Sequence, residues 1–304
     1  MNRPATSGAF DPTGRPGRLR VGIVGTGRVG SIVGAALAAA GHTVVAASGV
    51  SDAARARAAA LLPEAALVTP PEVFAVSDLV VLAVPDDALA DLVAGLAATG
   101  AVRQGQLVVH PSGRYGVRVL DPATRAGALP MALHPVMTFT GTALDLGRLA
   151  GCCFGVTAPQ ALRAVAEALV LEMGGEPVWV AEAARPLYHA ALAHGSNHLV
   201  TLVAQSMDLL TEAGVDDPGR MLGPLLGASL DNALRAGDAA TTGPVVRGDA
   251  GTVAGHVQAI GAHSPQILAT YRALARATAD RALASHRLRP EAAEALLDAL
   301  AGDR

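Results

Sequence analysis

Aromatic residues are nearly missing from this chain: one Trp, three Tyr and four Phe among 304 residues. Hydrophobic residues nonetheless make up 51% of it. The core must therefore be built from Ala, Val and Leu, which suits close-packed helices and parallel strands buried on both faces. Cysteine is as scarce. Cys152 and Cys153 are the only two and they are adjacent. Neighbours on an extended segment point to opposite faces, so neither a disulfide framework nor a zinc site follows, and both read as small core residues. There is no block of basic residues and the net charge is −3, so nucleic acid is not an expected partner. The longest apolar run, Val29 to Val50, is broken by Gly41, His42 and Thr43 and resolves into a helix and a strand, so no membrane span is expected. Residues 1–17 lack the apolar centre of a signal peptide. They are expected to form a flexible tail on a cytoplasmic protein.

What the chain does have is glycine, 34 residues of it. Leu19 to Val24 reads as a fully buried strand, and Gly25-Thr26-Gly27-Arg28-Val29-Gly30 follows at once. A helix from Ser31 to Ala40, a stop at Gly41 and a second strand from His42 to Ser48 complete the unit. Chance matches to GxGxxG are common in such a chain, but strand, motif, helix and strand in this order specify a dinucleotide site. The first glycine allows the tight turn, the second admits the pyrophosphate and the third lets helix and sheet pack closely. The helix N-terminus then offers N–H groups to the phosphates.

Cofactor choice is read after the second strand, where an NAD site usually places an acid. Here stand Ser48-Gly49-Val50-Ser51, then Asp52, with Arg55 and Arg57 one turn on. Hydroxyls and a guanidinium suit a 2′-phosphate, favouring NADP over NAD. Strand ends recur at Val84-Pro85, at His110-Pro111-Ser112 and at His134-Pro135, bringing Val84, Pro85 and Ser112 to the cofactor edge and His110 and His134 into candidacy. Further strands over Cys152 to Thr157 and Pro177 to Val180 flank a helix from Pro159 to Met173. The fold class expected is α/β, a Rossmann-like doubly wound parallel sheet over residues 18–181, followed by an all-α domain over residues 182–304.

In that second half a long helix fits Glu182 to Glu212, and others fit Gly219 to Ala236, Ala250 to Ala262, Pro265 to Ala284 and Pro290 to Ala301. The long helix carries Arg185, Tyr188, His189, His194, Ser196, Asn197 and His198. At about 100° per residue, Ser196 and Arg185 fall within about 40° of His189, whereas His194 and His198 fall on the far face. One metal ion cannot bind all three histidines, and no metal site is expected. His189, Ser196 and Asn197 share a face that is otherwise apolar, where unpaired polar groups are costly and a ligand is a natural partner.

The stretches VGIVGTGRVG, VLAVPDDAL, HPSG, ALHPVMTF, YHAALAHGSNHL and TGPVVRGD resemble, in this order, a bacterial family of oxidoreductases. Its members pair a Rossmann-like NADP-binding domain with a C-terminal helical domain of unknown function. They are similar in architecture to pyrroline-5-carboxylate reductase, ketopantoate reductase and 6-phosphogluconate dehydrogenase. The resemblance implies NADP-dependent reduction of a small carbonyl or imine, with a 2-oxo acid such as ketopantoate among the candidates, and a homodimer built through the helical domain. Family members commonly carry Lys where this chain has Arg185. An arginine does not release its proton at working pH, which puts an acid/base role there in doubt.

Hydride transfer needs the acceptor oriented, polarised and supplied with one proton. Asn197 and Ser196 are expected to hold the acceptor, His189 or else Tyr188 to donate the proton, and His134 to approach from the sheet. Arg247 is expected to grip a substrate carboxylate. A deazaflavin-linked NADP oxidoreductase and a non-catalytic NADP-binding protein stay open as alternatives. The tripeptide Arg247-Gly248-Asp249 spells an adhesion signal, but in a cytoplasmic helical domain it reads as guanidinium, turn and helix cap, anchored by Val245 and Val246.

Overall fold

The computed structural model describes residues 17–301, so the expected tail lies, apart from Gly17, outside the described residues. Among the described residues eight strands form one sheet. They are β1 (Arg20–Val24), β2 (Thr43–Ser48), β3 (Ala66–Leu67), β4 (Leu79–Leu82), β5 (Leu107–His110), β6 (Leu129–Pro135), β7 (Cys153–Thr157) and β8 (Glu176–Trp179). Their order is β3-β2-β1-β4-β5-β6-β7-β8. Neighbours run parallel except β6 and β7, which pair antiparallel with His134 opposite Gly155. The helices of this half are α1 (Arg28–Ala39), α2 (Asp52–Leu61), α3 (Pro70–Val76), α4 (Asp86–Ala98), α5 (Asp121–Arg125), α6 (Leu144–Leu149) and α7 (Arg163–Glu172).

The unbroken apolar runs are explained by burial on both faces. In β4, Leu79 and Val81 enter one core with Val33, Leu37 and Leu133, while Val80 and Leu82 enter the other with Val93 and Leu120. Alternate side chains of a strand point to opposite faces, and here both faces are dry.

Three details depart from the sequence reading or add to it. Helix α1 begins at Arg28 rather than Ser31, because the last residues of the glycine turn are already helical. Strand β6, whose end but not whose start was read from the sequence, begins at Leu129. Its Pro130 is tolerated because β7 pairs only from Ala132 onward, so β6 has one neighbour there. The cysteines are not core residues: Cys153, the first residue of β7, is exposed, and Cys152 just before it is half-buried.

After β8 the described residues are helical: α8 (Arg185–Glu212), α9 (Pro218–Ala236), α10 (Pro244–Arg247), α11 (Ala250–His263), α12 (Pro265–Ala284) and α13 (Pro290–Ala301). Proline occupies the first turn of α9, α10 and α12, where its missing N–H costs nothing, and Asp217 and Ser264 cap α9 and α12 with their side chains. The chain divides into two compact units, Met1–His194 and Gly195–Arg304, so the division falls inside α8. The second unit has its own core of Val246, Val253, Ala279, Leu288, Leu296 and Leu300.

Candidate functional site

The glycine turn after β1 is built as its motif requires. Gly25 has φ +96°, and a Cβ there would lie 2.5 Å from the Ala83 carbonyl oxygen at the end of β4, with Val84 beside it. A Cβ on Gly30 would collide with the Gly25 carbonyl, so α1 and the turn touch backbone to backbone. Gly27 differs: nothing lies within 4 Å of where its Cβ would point. Gly27 is the N-cap of α1, no side chain caps it, and the first turn holds no acid. The first N–H groups of that helix lack intrahelical partners. Open space above an uncapped helix N-terminus is what a phosphate group fits.

The Thr26 side chain is buried and donates to the Ala54 carbonyl at 2.9 Å, tying the turn to α2. The Ser48 carbonyl accepts from the N–H groups of Gly25 and Thr26 at 3.0 Å each. Ser51 is occupied as the cap of α2, accepting from Ala54 N–H. Arg55 is held by Asp52 at 2.6 Å and by the Val50 carbonyl at 2.6 Å. Val29 packs on the sheet core, and Pro85 is the N-cap of α4.

A second polar group gathers on the sheet within the first unit, where β5, β6 and β7 meet the start of α8. His134 Nδ1 lies 2.8 Å from the Tyr188 hydroxyl. The two rings meet edge to face at 5.6 Å, and His134 meets His189 the same way at 6.2 Å. Gly113 makes room for them: a Cβ there would sit 2.8 Å from His189 Cδ2 and 2.9 Å from His134 Nε2. Gly155 does the same for Tyr188, whose hydroxyl occupies the space its Cβ would need.

Arg185 organises this cluster. It is 1% exposed, yet among the described residues no carboxylate lies within salt-bridge distance of it. Its Nε donates to Thr157 Oγ1 at 2.8 Å, Nη1 to the Ser112 carbonyl at 3.3 Å, and Nη2 to the Gly155 and Ala132 carbonyls at 2.9 and 3.2 Å. One guanidinium thus staples the β5 loop, β6 and β7 to the root of α8. Glu182 adds a second tie, accepting from the N–H groups of Val117 and Arg118.

Burial above all, then the charges of Arg185 and His189, push the His134 imidazole down to about 4. Burial raises the Tyr188 phenol, although Arg185 and the Gly155 N–H pull the other way. Both groups are thus neutral near pH 7, and one hydrogen bond joins them: the hydroxyl donates to Nδ1 when the imidazole carries its proton on Nε2, and accepts from it in the other tautomer. His110, by contrast, is wholly buried and structural. Its Nδ1 accepts from Ser112 N–H and its Nε2 donates to the Gly116 carbonyl at 2.8 Å. Ser112 Oγ accepts from Tyr115 N–H.

The structure brings His134, Tyr188 and His189 together in the first unit. Ser196 and Asn197 lie in the second unit and are exposed. So does Arg247, whose guanidinium is taken up by Asp249 at 2.8 Å. Val245 and Val246 are buried and Gly248 is left-handed at φ +74°, as the motif suggested. Asp249 stands at the N-cap position of α11, but its carboxylate binds Arg247 instead of the helix N–H groups. His194 and His198 are exposed, and no group of three or more His, Cys, Asp or Glu among the described residues could hold a metal ion. No described helix is long and apolar enough to cross a membrane. Sequence reasoning missed the Arg185 staple and the His134–Tyr188 bond, whose partners lie 54 residues apart. The one local signal was the i, i+3 spacing of Arg185 and Tyr188 on a helix.

Residues 1–135 match the Rossmann-like domain family, and residues 152–278 match DUF2520, a domain of unknown function. No curated protein sequence matches the chain. Among solved structures, a provisionally assigned NADP oxidoreductase from Bacteroides fragilis superposes with TM-score 0.73 at 19% identity, covering 86% of this chain and 98% of that one. An imine reductase from Pseudomonas sp. gives 0.65 at 18%, covering 93% and 100%. A reductive aminase from Aspergillus terreus, in complex with NADPH and ethyl-5-oxohexanoate, gives 0.63 at 19%, covering 93% and 99%. At such identity the likeness is one of fold. The chain carries a Rossmann-like domain followed by a DUF2520 domain.

Proposed function

We propose that the chain is an NADP(H)-dependent oxidoreductase that reduces a small carbonyl or imine compound. The observation that carries the reading is the His134–Tyr188 pair, a hydrogen-bonded imidazole and phenol on the same sheet that presents an open glycine turn. Residues 18–181 would bind the cofactor, with Gly25, Gly27, Gly30 and the N-terminus of α1 receiving the diphosphate. NADPH bound there supplies the hydride. The chain's own groups do the rest. In the tautomer with its proton on Nε2, His134 accepts from the Tyr188 hydroxyl and turns Nε2–H to the acceptor, polarising its C=O or C=N bond. Half-buried His189, edge-on to His134, delivers the proton. The permanent charge of Arg185 behind them favours the anion that forms as hydride arrives.

The helical domain from residue 182 would serve the substrate and a homodimer. Met221 and Leu225 of α9 are exposed at 57% and 62% on one side of the helix, and Leu230 and Leu234, at 49% and 80%, lie about 140–180° around it, so α9 exposes apolar surface on two sides. A 2-oxo acid such as ketopantoate and a cyclic imine are the substrate classes to assay first. The imine reductase and the reductive aminase among the structural neighbours favour the imine.

The test is His189→Ala. Turnover of NADPH with the accepted substrate should fall by about 10²-fold or more while the Kd for NADPH holds. Unchanged turnover would remove His189 from the mechanism, and a wild-type protein that binds no NADPH would end the reading as a whole.

A further inference from the structure

Arg55, the guanidinium that the sequence puts nearest the ribose end, is already neutralised by Asp52 and tied to the Val50 carbonyl. Two other arginines are not. Among the described residues no carboxylate oxygen lies within salt-bridge distance of Arg28 or Arg57. Arg28 is the first residue of α1, next to the open Gly27. Arg57 stands on α2, the helix that follows β2, and its Nε donates to the Thr26 carbonyl at 3.3 Å, inside the glycine turn. Their stems converge on one point. A Cβ built on Gly141 would lie 2.9 Å from Arg28 Cγ and 3.1 Å from Arg57 Cδ.

Gly141 belongs to the loop between β6 and α6, and the loop is pinned by a buried carboxylate. Asp145 accepts from Thr140 N–H and Gly141 N–H at 2.7 Å each and from Thr140 Oγ1 at 3.0 Å, while Arg148 stands 3.7 Å away. Its side chain is 0% exposed, so this charge is spent on the loop backbone. Gly141 itself has φ +81°, the left-handed region, and carries no side chain to part the two arginines. The loop therefore lies against the stems of both arginines at the glycine turn without placing a carboxylate within salt-bridge distance of either. Like charges held together repel by an amount that an anion removes, and a doubly charged phosphate monoester can accept from both forks at once.

We propose that Arg28 and Arg57 form a phosphate clamp that reads the 2′-phosphate of NADP(H), with the Asp145-pinned loop as a positioning element. The inference rests on the NADP(H) reading above and assigns its cofactor specificity to a pair of residues other than Arg55. The position follows from the fold. The ribose 2′ group of a dinucleotide lies where β2 gives way to α2, and Arg57 reaches from α2 back to the turn.

Fluorescence titration of the full chain with NADPH and with NADH tests it, with 2′,5′-ADP as a competitor. Arg57→Gln and Arg28→Gln should each raise the Kd for NADPH and 2′,5′-ADP about tenfold, leaving the Kd for NADH within about twofold. Arg57→Lys should recover part of the loss, since it keeps the charge and loses the fork. Retained NADH binding in each variant shows that the turn is folded. Unchanged NADPH affinity in both variants overturns the clamp. Equal losses for NADPH and NADH also overturn it, because the arginines would then serve the diphosphate. A larger rise for Arg55→Gln than for Arg57→Gln returns specificity to Arg55. Wild-type protein that binds neither nucleotide defeats the proposed function itself, a result distinct from all of these.

Discussion

Acid should unfold the sheet unit earlier than its net charge suggests, because two buried histidines must stay neutral. His110 and His134 are each pushed to about 4, from an ordinary 6.5, chiefly by burial. Between those values an unfolded chain binds two protons that the native sheet refuses. Native stability is therefore full above about pH 6.5 and is lost as the pH falls toward 4. Each histidine should remove about 2 kcal/mol by pH 5, and the pair about 4 kcal/mol. That is a large share of the 5–15 kcal/mol typical of a whole domain. Asp145 does not confuse the measurement, since burial raises its carboxyl but its hydrogen bonds more than offset this, and it stays ionised at pH 5. Trp179, the single tryptophan, lies in β8 and donates to Glu167 at 2.9 Å, so its fluorescence reports this unit alone. Urea unfolding followed by Trp179 at pH 7.5 and at pH 5.0 gives the difference, and His134→Gln should halve it. A difference below about 1 kcal/mol would refute the neutral, desolvated state of both rings.

Other consequences are sharper in contrast. Gly27→Ala should melt as the wild type does, because its Cβ enters open space, yet raise the Kd for NADPH; Gly30→Ala should lower the Tm, because its Cβ meets the Gly25 carbonyl. Calorimetry and fluorescence titration of the two variants check this. Arg185→Met should raise the His134 midpoint, since the arginine charge is the second cause holding it down after burial, and imidazole NMR signals would show it. The same variant strands four acceptors, so the Tm should drop as well.

Local signals made much of this fold legible in the sequence. Helices α12 and α13 start at Pro265 and Pro290 as read, because proline in a first turn is an unambiguous mark. The β5 run from Leu107 to His110 was equally plain. Strand β3, only two residues long, carries no periodicity to detect. The site was half legible. Gly25 to Gly30 announce their task by spacing, and His134, Tyr188 and His189 stood out as polar residues in apolar runs. What joined them could not be read, because Arg185 unites strands that only the sheet order brings together. Arg55 illustrates the converse: its position fits a 2′-phosphate, and only coordinates reveal Asp52 already in its fork.

The Arg185 staple also sets what kind of acid and base profile the site can show. All 23 basic side chains of this protein are arginines; it contains no lysine. A lysine at the root of α8 would discharge at high pH and switch off whatever its charge supports. A guanidinium keeps its proton throughout the range in which the protein is folded. The positive wall behind His134 and Tyr188 is thus a constant of the molecule, as fixed as a metal ion would be but without a ligand to lose. Any loss of activity in base must come from groups in front of that wall, and its pH midpoint will identify them.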